Sequence, residues 1–109
     1  MATAFKNYLT SNIGTSPTTV YTAGAAQTTV YSFTVANIKS PAANITISAT
    51  ITSGATTSYI CKDAPIPIGS TIILVGAPQK LAMEVGDVIQ VTASTGTAAD
   101  VIVSTVELS

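Results

Sequence analysis

Asn44-Ile45-Thr46-Ile47-Ser48-Ala49-Thr50-Ile51-Thr52 alternates without a break between apolar and small polar side chains. Ile45, Ile47, Ala49 and Ile51 fall on one face, and Asn44, Thr46, Ser48, Thr50 and Thr52 on the other. Period two with β-branched residues defines a strand with one face buried. A helix would scatter the same four apolar residues around its circumference. The stretch is therefore a strand, and it sets the pattern for the rest of the chain.

Outward from it, similar segments recur. Thr29, Tyr31, Phe33 and Val35 are expected to share one face of a strand. Val101 and Val103 alternate with Ile102, Ser104 and Val106, ending near Leu108. Val88 to Ala93 and Thr57 to Cys61 supply two more strands, and Thr18 to Thr22 an edge strand. The continuous run Ile72-Ile73-Leu74-Val75 fits a strand covered on both sides. Turn residues separate these segments: Ala23-Gly24-Ala25, Lys39-Ser40-Pro41, Ser53-Gly54, Pro65 to Gly69, Gly76-Ala77-Pro78, Gly86-Asp87 and Thr95-Gly96-Thr97. Proline removes a ladder donor and glycine supplies positive φ, so each position favours a turn. Seven or eight short strands at this spacing predict an all-β protein, an antiparallel β-sandwich or jelly-roll-like fold.

Residues 1–14 stand apart as a short N-terminal arm, with 15–109 as a single β-sandwich domain. Phe5, Tyr8 and Leu9 have i, i+3, i+4 spacing, which suits one amphipathic turn or an extended arm. A helix that short is marginal in water and has to dock, either on its own sandwich or on a neighbour. Phe5, Tyr8, Leu9 and Ile13 are the candidate partner-binding anchors.

Composition narrows the function. The 109 residues are 47% apolar but only 8% charged, against about 25% in an average domain. Threonine (19) and serine (11) fill the gap, and the formal net charge is -1. Soluble domains rely on interspersed charge to stay apart, so a neutral hydroxyl surface is expected to be covered by partners in an assembly. There is no arginine, and Lys6, Lys39, Lys62 and Lys80 are scattered, whereas nucleic-acid binding needs clustered cations. No apolar run approaches the length of a membrane span. Residues 1–14 contain no continuous apolar stretch of the kind a secretory signal requires. With the single Cys61, that leads us to expect synthesis in a reducing, cytosol-like compartment.

Catalytic groups are scarce. There is no histidine, the commonest general base and metal ligand near neutral pH. Cys61 lies in an apolar strand without an imidazole to activate it, and is expected to be a small buried hydrophobe. Glu84 and Asp87 flank Val85-Gly86 and read as turn residues, although such a pair could also begin a calcium site. No phosphate loop, CxxC pair or supported carboxylate dyad appears. We expect no enzyme activity, no cofactor and no metal. A glycan-binding surface module is the remaining small-ligand alternative. It is disfavoured because there is no tryptophan and because Tyr31 and Phe33 are placed in the core.

Several stretches carry a resemblance. Phe5-Lys6-Asn7-Tyr8, Ile13-Gly14-Thr15 and Thr19-Val20-Tyr21-Thr22 are joined by Lys62-Asp63-Ala64-Pro65-Ile66-Pro67 and by Gln79-Lys80-Leu81 with Glu84-Val85-Gly86-Asp87. Ala99-Asp100-Val101-Ile102-Val103-Ser104 completes the set. Together they resemble small virion structural proteins of tailed bacteriophages over nearly the whole chain. Tyr31-Ser32-Phe33-Thr34 departs, being less aliphatic than its counterparts. The resemblance implies a capsid decoration (cement) protein that is made in the host cytoplasm and resides on the capsid surface. It also implies a partner in the major capsid protein and self-association as a homotrimer. The alternative within the same class is a tail, head-tail junction or fibre-associated protein.

Overall fold

The computed structural model describes residues 3–24, 27–76 and 80–108. Ala25, Ala77, Pro78 and Gln79, which belong to turns and a motif singled out above, lie outside the described residues. Nine strands follow in order: β1 (Thr3–Ile13), β2 (Thr18–Thr22), β3 (Gln27–Asn37), β4 (Ile45–Ser53), β5 (Thr56–Ile66), β6 (Thr71–Val75), β7 (Leu81–Met83), β8 (Val88–Ala93) and β9 (Ala99–Leu108). No helix occurs among the described residues.

The strands form two antiparallel sheets. Sheet A has the order β1-β9-β3-β6, with β7 pairing β3 beyond the end of β6. Sheet B has the order β2-β8-β4-β5. The protein is thus an all-β sandwich, with nine strands where seven or eight were expected. The extra ones are β1, which pairs with β9 from Thr3↔Leu108 to Ile13↔Ala99, and the three-residue β7, too short to show a period. The N-terminal segment is accordingly extended and lies along its own sandwich, as the edge strand of sheet A.

The core lies between the sheets. Val30, Phe33, Val35, Val101 and Val103 from sheet A meet Ile45, Ile47, Ala49, Ile89 and Val91 from sheet B, all essentially inaccessible. Ile45, Ile47 and Ala49 face inward as the period of β4 predicts, and Ile51 is half-buried. Burying side chains of this size contributes about 1.5–3 kcal/mol each before the entropic cost of ordering them.

Two expectations about facing are corrected. In β3 the register shifts between Val30 and Ser32. Tyr31 occupies that irregularity, so Thr29 and Tyr31 are half-buried while Val30, Phe33 and Val35 point into the core. One extra residue in a strand reverses every later side chain. In β6, Ile73 is 67% exposed: β6 is an edge strand, covered on its inner side only.

Connections are held locally. β4 and β5 are joined by Gly54-Ala55 between the paired Ser53 and Thr56, and Gly54 has φ 61°, as a two-residue hairpin needs. Asn37, buried at the end of β3, donates through Nδ2 to the carbonyls of Ala43 (2.8 Å), Ile66 (3.0 Å) and Pro67 (3.2 Å). Its Oδ1 accepts from the Lys39 N–H at 3.0 Å. It thereby ties the β3–β4 connection to the end of β5 and the connection that follows it. Among the described residues no buried side-chain nitrogen or oxygen lacks a hydrogen-bond partner.

Candidate functional surfaces

The strand periods divide the outer surface into two faces of different chemistry. On sheet A the outward positions of β1 are Thr3, Phe5, Asn7, Leu9 and Ser11. The register sets Phe5 beside Val106, Asn7 beside Ser104 and Leu9 beside Ile102. Ile102 is followed by Thr34 of β3 and Ile73 of β6. Leu9, Ile102, Thr34 and Ile73 therefore form one row across four strands. Phe5 and Leu9 are each 72% exposed, and Ile102 is 45% exposed. Phe5 also meets the bulged Tyr31 edge to face, with ring centroids 6.4 Å apart. Among the described outward strand positions the one charged side chain is Asp100, at the end of the sheet, where its carboxylate accepts the Asn12 N–H at 3.0 Å. With strands about 4.8 Å apart and about 3.3 Å per residue, the face covers on the order of 500 Å², within the roughly 300–600 Å² of the largest patches on monomers.

The four predicted anchors do not share one face. Strand geometry splits them, because residues three and four apart in a strand do not share a face as they would on a helix. Phe5 and Leu9 point outward. Ile13 is in the core at 1% exposure. Tyr8 points inward and donates to Glu107 Oε2 at 2.5 Å.

Glu107 is the centre of a polar knot that links the two sheets. Its Oε2 also accepts from Tyr21 on β2 at 2.9 Å and from Thr105 at 3.0 Å, while the rings of Tyr8 and Tyr21 lie 4.7 Å apart. Partial burial pushes the Glu107 carboxyl up, but donation from Tyr8, Tyr21 and Thr105, with Lys6 nearby, outweighs it and holds the group below its usual range. The same bond to Glu107, reinforced by burial, pushes Tyr8 up to about 12. Burial chiefly, with the bond to Glu107, raises Tyr21. Three groups that the sequence showed only as separate residues are thus one structural unit.

On sheet B the outward row runs Thr19, Gln90, Thr50, Tyr59 across β2, β8, β4 and β5. A groove of about 340 Å³ opens here, lined by Pro17, Ser48, Thr50, Thr57, Tyr59, Gln90 and Thr92. Tyr59 is 59% exposed, and Lys62 Nζ sits 5.4 Å from its ring centroid. No lining side chain is charged.

The remaining candidates have structural roles. Cys61 is half-buried and faces the Ile47 carbonyl at 3.9 Å, and burial pushes its thiol up, away from the reactive thiolate. Glu84 to Asp87 is a turn: the Asp87 N–H donates to the Glu84 carbonyl, and Asp87 Oδ2 accepts the Glu84 N–H, both at 3.0 Å. Gly86 between them has φ 92°, as the third residue of a type II turn requires. Among the described residues, no three His, Cys, Asp or Glu side chains converge as metal ligands, and no helix is long and apolar enough to cross a membrane.

These surfaces define an all-β sandwich with one apolar and one hydroxyl-rich face. Comparisons with protein-family models, curated proteins and solved structures find no match to this chain.

Proposed function

We propose that this chain is a non-catalytic structural protein of a tailed-bacteriophage virion, a decoration protein that binds and stabilises the lattice of the major capsid protein. The observation that carries the proposal is the outer face of sheet A. Phe5, Leu9, Ile73 and Ile102 are held there in solvent by the sheet, and Asp100, at the margin, is the one charged side chain among the described outward strand positions. Against a partner the four apolar side chains become the desolvated centre of an interface, with Thr34 and Asn7, whose Oδ1 accepts from the buried Ser104 at 2.6 Å, as its polar members. β1 adds an unpaired edge that can accept a strand from a neighbour.

The size of the face favours a repeating partner. A stable pairwise interface buries about 800 Å² on each side, more than this face supplies. Repetition over a lattice, or joining three copies as a homotrimer, turns weak single contacts into firm attachment. The resemblance of the chain's sequence motifs to tailed-phage virion proteins supports the major capsid protein as the lattice, the capsid surface as the location and the host cytoplasm as the place of assembly.

Cryo-electron microscopy of virions of the phage encoding this chain tests the proposal. The expected result is hundreds of copies on the outer capsid surface, with sheet A or β1 toward the major capsid protein. A handful of copies at the tail or the head-tail junction would overturn it.

A further inference from the structure

We infer that the groove on sheet B is a binding site for a neutral saccharide. It is open and shallow, and its volume of about 340 Å³ lies at the small end of the range for ligand sites. Its chemistry selects the ligand class. No lining residue is charged, and the exposed Lys62 over Tyr59 is a lone rim cation, short of the converging donors that hold a phosphate or carboxylate. A purely apolar ligand would cover the Thr50, Thr92 and Gln90 polar groups without replacing their water, which is costly. A pyranose meets both conditions, since it offers an apolar C–H face and a rim of hydroxyls that both donate and accept.

The residues match those two surfaces. Tyr59 provides an exposed aromatic plane, and Lys62 over the ring restricts its orientation. Ser48 Oγ already serves Asp63, accepting its N–H at 3.0 Å, and Thr57 Oγ1 is paired with Thr52 Oγ1 at 2.8 Å. These bonds stiffen the rim. Gln90 Nε2 donates to Thr19 Oγ1 at 3.2 Å, which fixes the amide and leaves its oxygen as an acceptor. Thr50 and Thr92 supply hydroxyls of either polarity. β4 and β8 place Thr50 beside Gln90 and Ser48 beside Thr92, so the polar groups come from the centre of the sheet and not from mobile loops. Sheet B faces away from the apolar face of sheet A, so the inference stands independently of capsid attachment.

The test is an NMR titration of the intact chain with glucose, galactose, N-acetylglucosamine and their disaccharides, each to about 50 mM, far above a millimolar dissociation constant. At least one sugar is expected to give saturable shifts centred on Thr50, Tyr59, Gln90 and Thr92. Tyr59→Ala is expected to weaken that binding at least about tenfold, whereas Tyr59→Phe keeps the stacking plane and stays within about threefold. Leu9→Lys with Ile102→Lys, which alters only sheet A, should leave sugar binding intact. The absence of saturable shifts with every sugar, shifts centred elsewhere, or unchanged affinity in Tyr59→Ala would overturn the assignment.

Discussion

The outer faces of the two sheets are built from the same strand geometry, yet they offer opposite chemistry to their surroundings. Sheet A presents Phe5, Leu9, Ile73 and Ile102, while sheet B presents Thr19, Ser48, Thr50, Thr57 and Gln90 around Tyr59. The inner faces differ far less, since both supply valine, isoleucine and alanine to one core. The core therefore specifies the fold, and the outward half of each strand is free to specify contacts. A face of threonines is compatible with permanent hydration. A face with leucine and phenylalanine about 70% exposed is the one that the proposed partner would cover.

The largest expected effect separates the faces directly. Leu9→Lys with Ile102→Lys should lower capsid attachment by about 100-fold or more, because central apolar anchors contribute about 2 kcal/mol or more each. Thr50→Lys with Thr92→Lys, the matched change on sheet B, should leave attachment within about threefold. Re-addition of each purified variant to particles lacking the chain measures both. Equal loss from the two pairs would remove the distinction between the faces.

An intermediate effect concerns the knot that joins them. Glu107→Gln is expected to destabilise the fold by about 1–2 kcal/mol in chemical denaturation, since it weakens charge-assisted bonds at a partly solvated site. The pH dependence has a definite sign on each side. The lowered carboxyl of Glu107 contributes stability above the ordinary glutamate range, near pH 4.3, and that contribution fades as pH falls through its folded value. The raised hydroxyl of Tyr8 contributes fully below the ordinary tyrosine value, near pH 10, and that contribution is lost as pH climbs toward about 12. The stability difference between the native chain and Glu107→Gln should thus be flat from about pH 5 to 9 and shrink outside that window. A difference that grows on acidification would contradict the bonding described.

The smallest expected effects concern what these outer residues contribute to folding. Leu9→Thr on sheet A and Thr50→Val on sheet B should each change unfolding free energy by less than about 0.5 kcal/mol, the usual range for exposed positions. A loss above about 1.5 kcal/mol in thermal melts of Leu9→Thr would mean that Leu9 packs within its own sandwich.

Much of the fold was readable in the sequence because its signal is local. Alternation in Asn44 to Thr52 and in Val88 to Ala93 gives both the strand and its facing, and Gly54 and Gly86 mark turns by backbone sterics alone. What escaped depends on distant pairings. The shift at Tyr31 arises where β3 meets β9, and nothing in Tyr31-Ser32-Phe33 announces it. Ile72 to Val75 reads as doubly covered, yet its exposure follows from its place at a sheet edge. The spacing of Phe5, Tyr8 and Leu9 fits either a helical turn or an extended arm; the backbone is extended, and it divides them between two faces. Tyr59 is one of six aromatic residues in the sequence, and its place in the groove depends on neighbours brought by β4 and β8.

Thr3 lies opposite Leu108, so the first and last described residues emerge at the same pole of the sandwich. Tension applied through the two ends would peel β1 from β9 pair by pair, loading a few hydrogen bonds at a time, whereas a pull spread over the broad side of sheet A engages many strands together. A single-molecule stretch through the termini should therefore register a low rupture force, and parting at a force typical of sheared ladders would contradict that geometry. In mechanical terms the sandwich is anisotropic: firm to load taken across its surface, compliant to load taken along its thread.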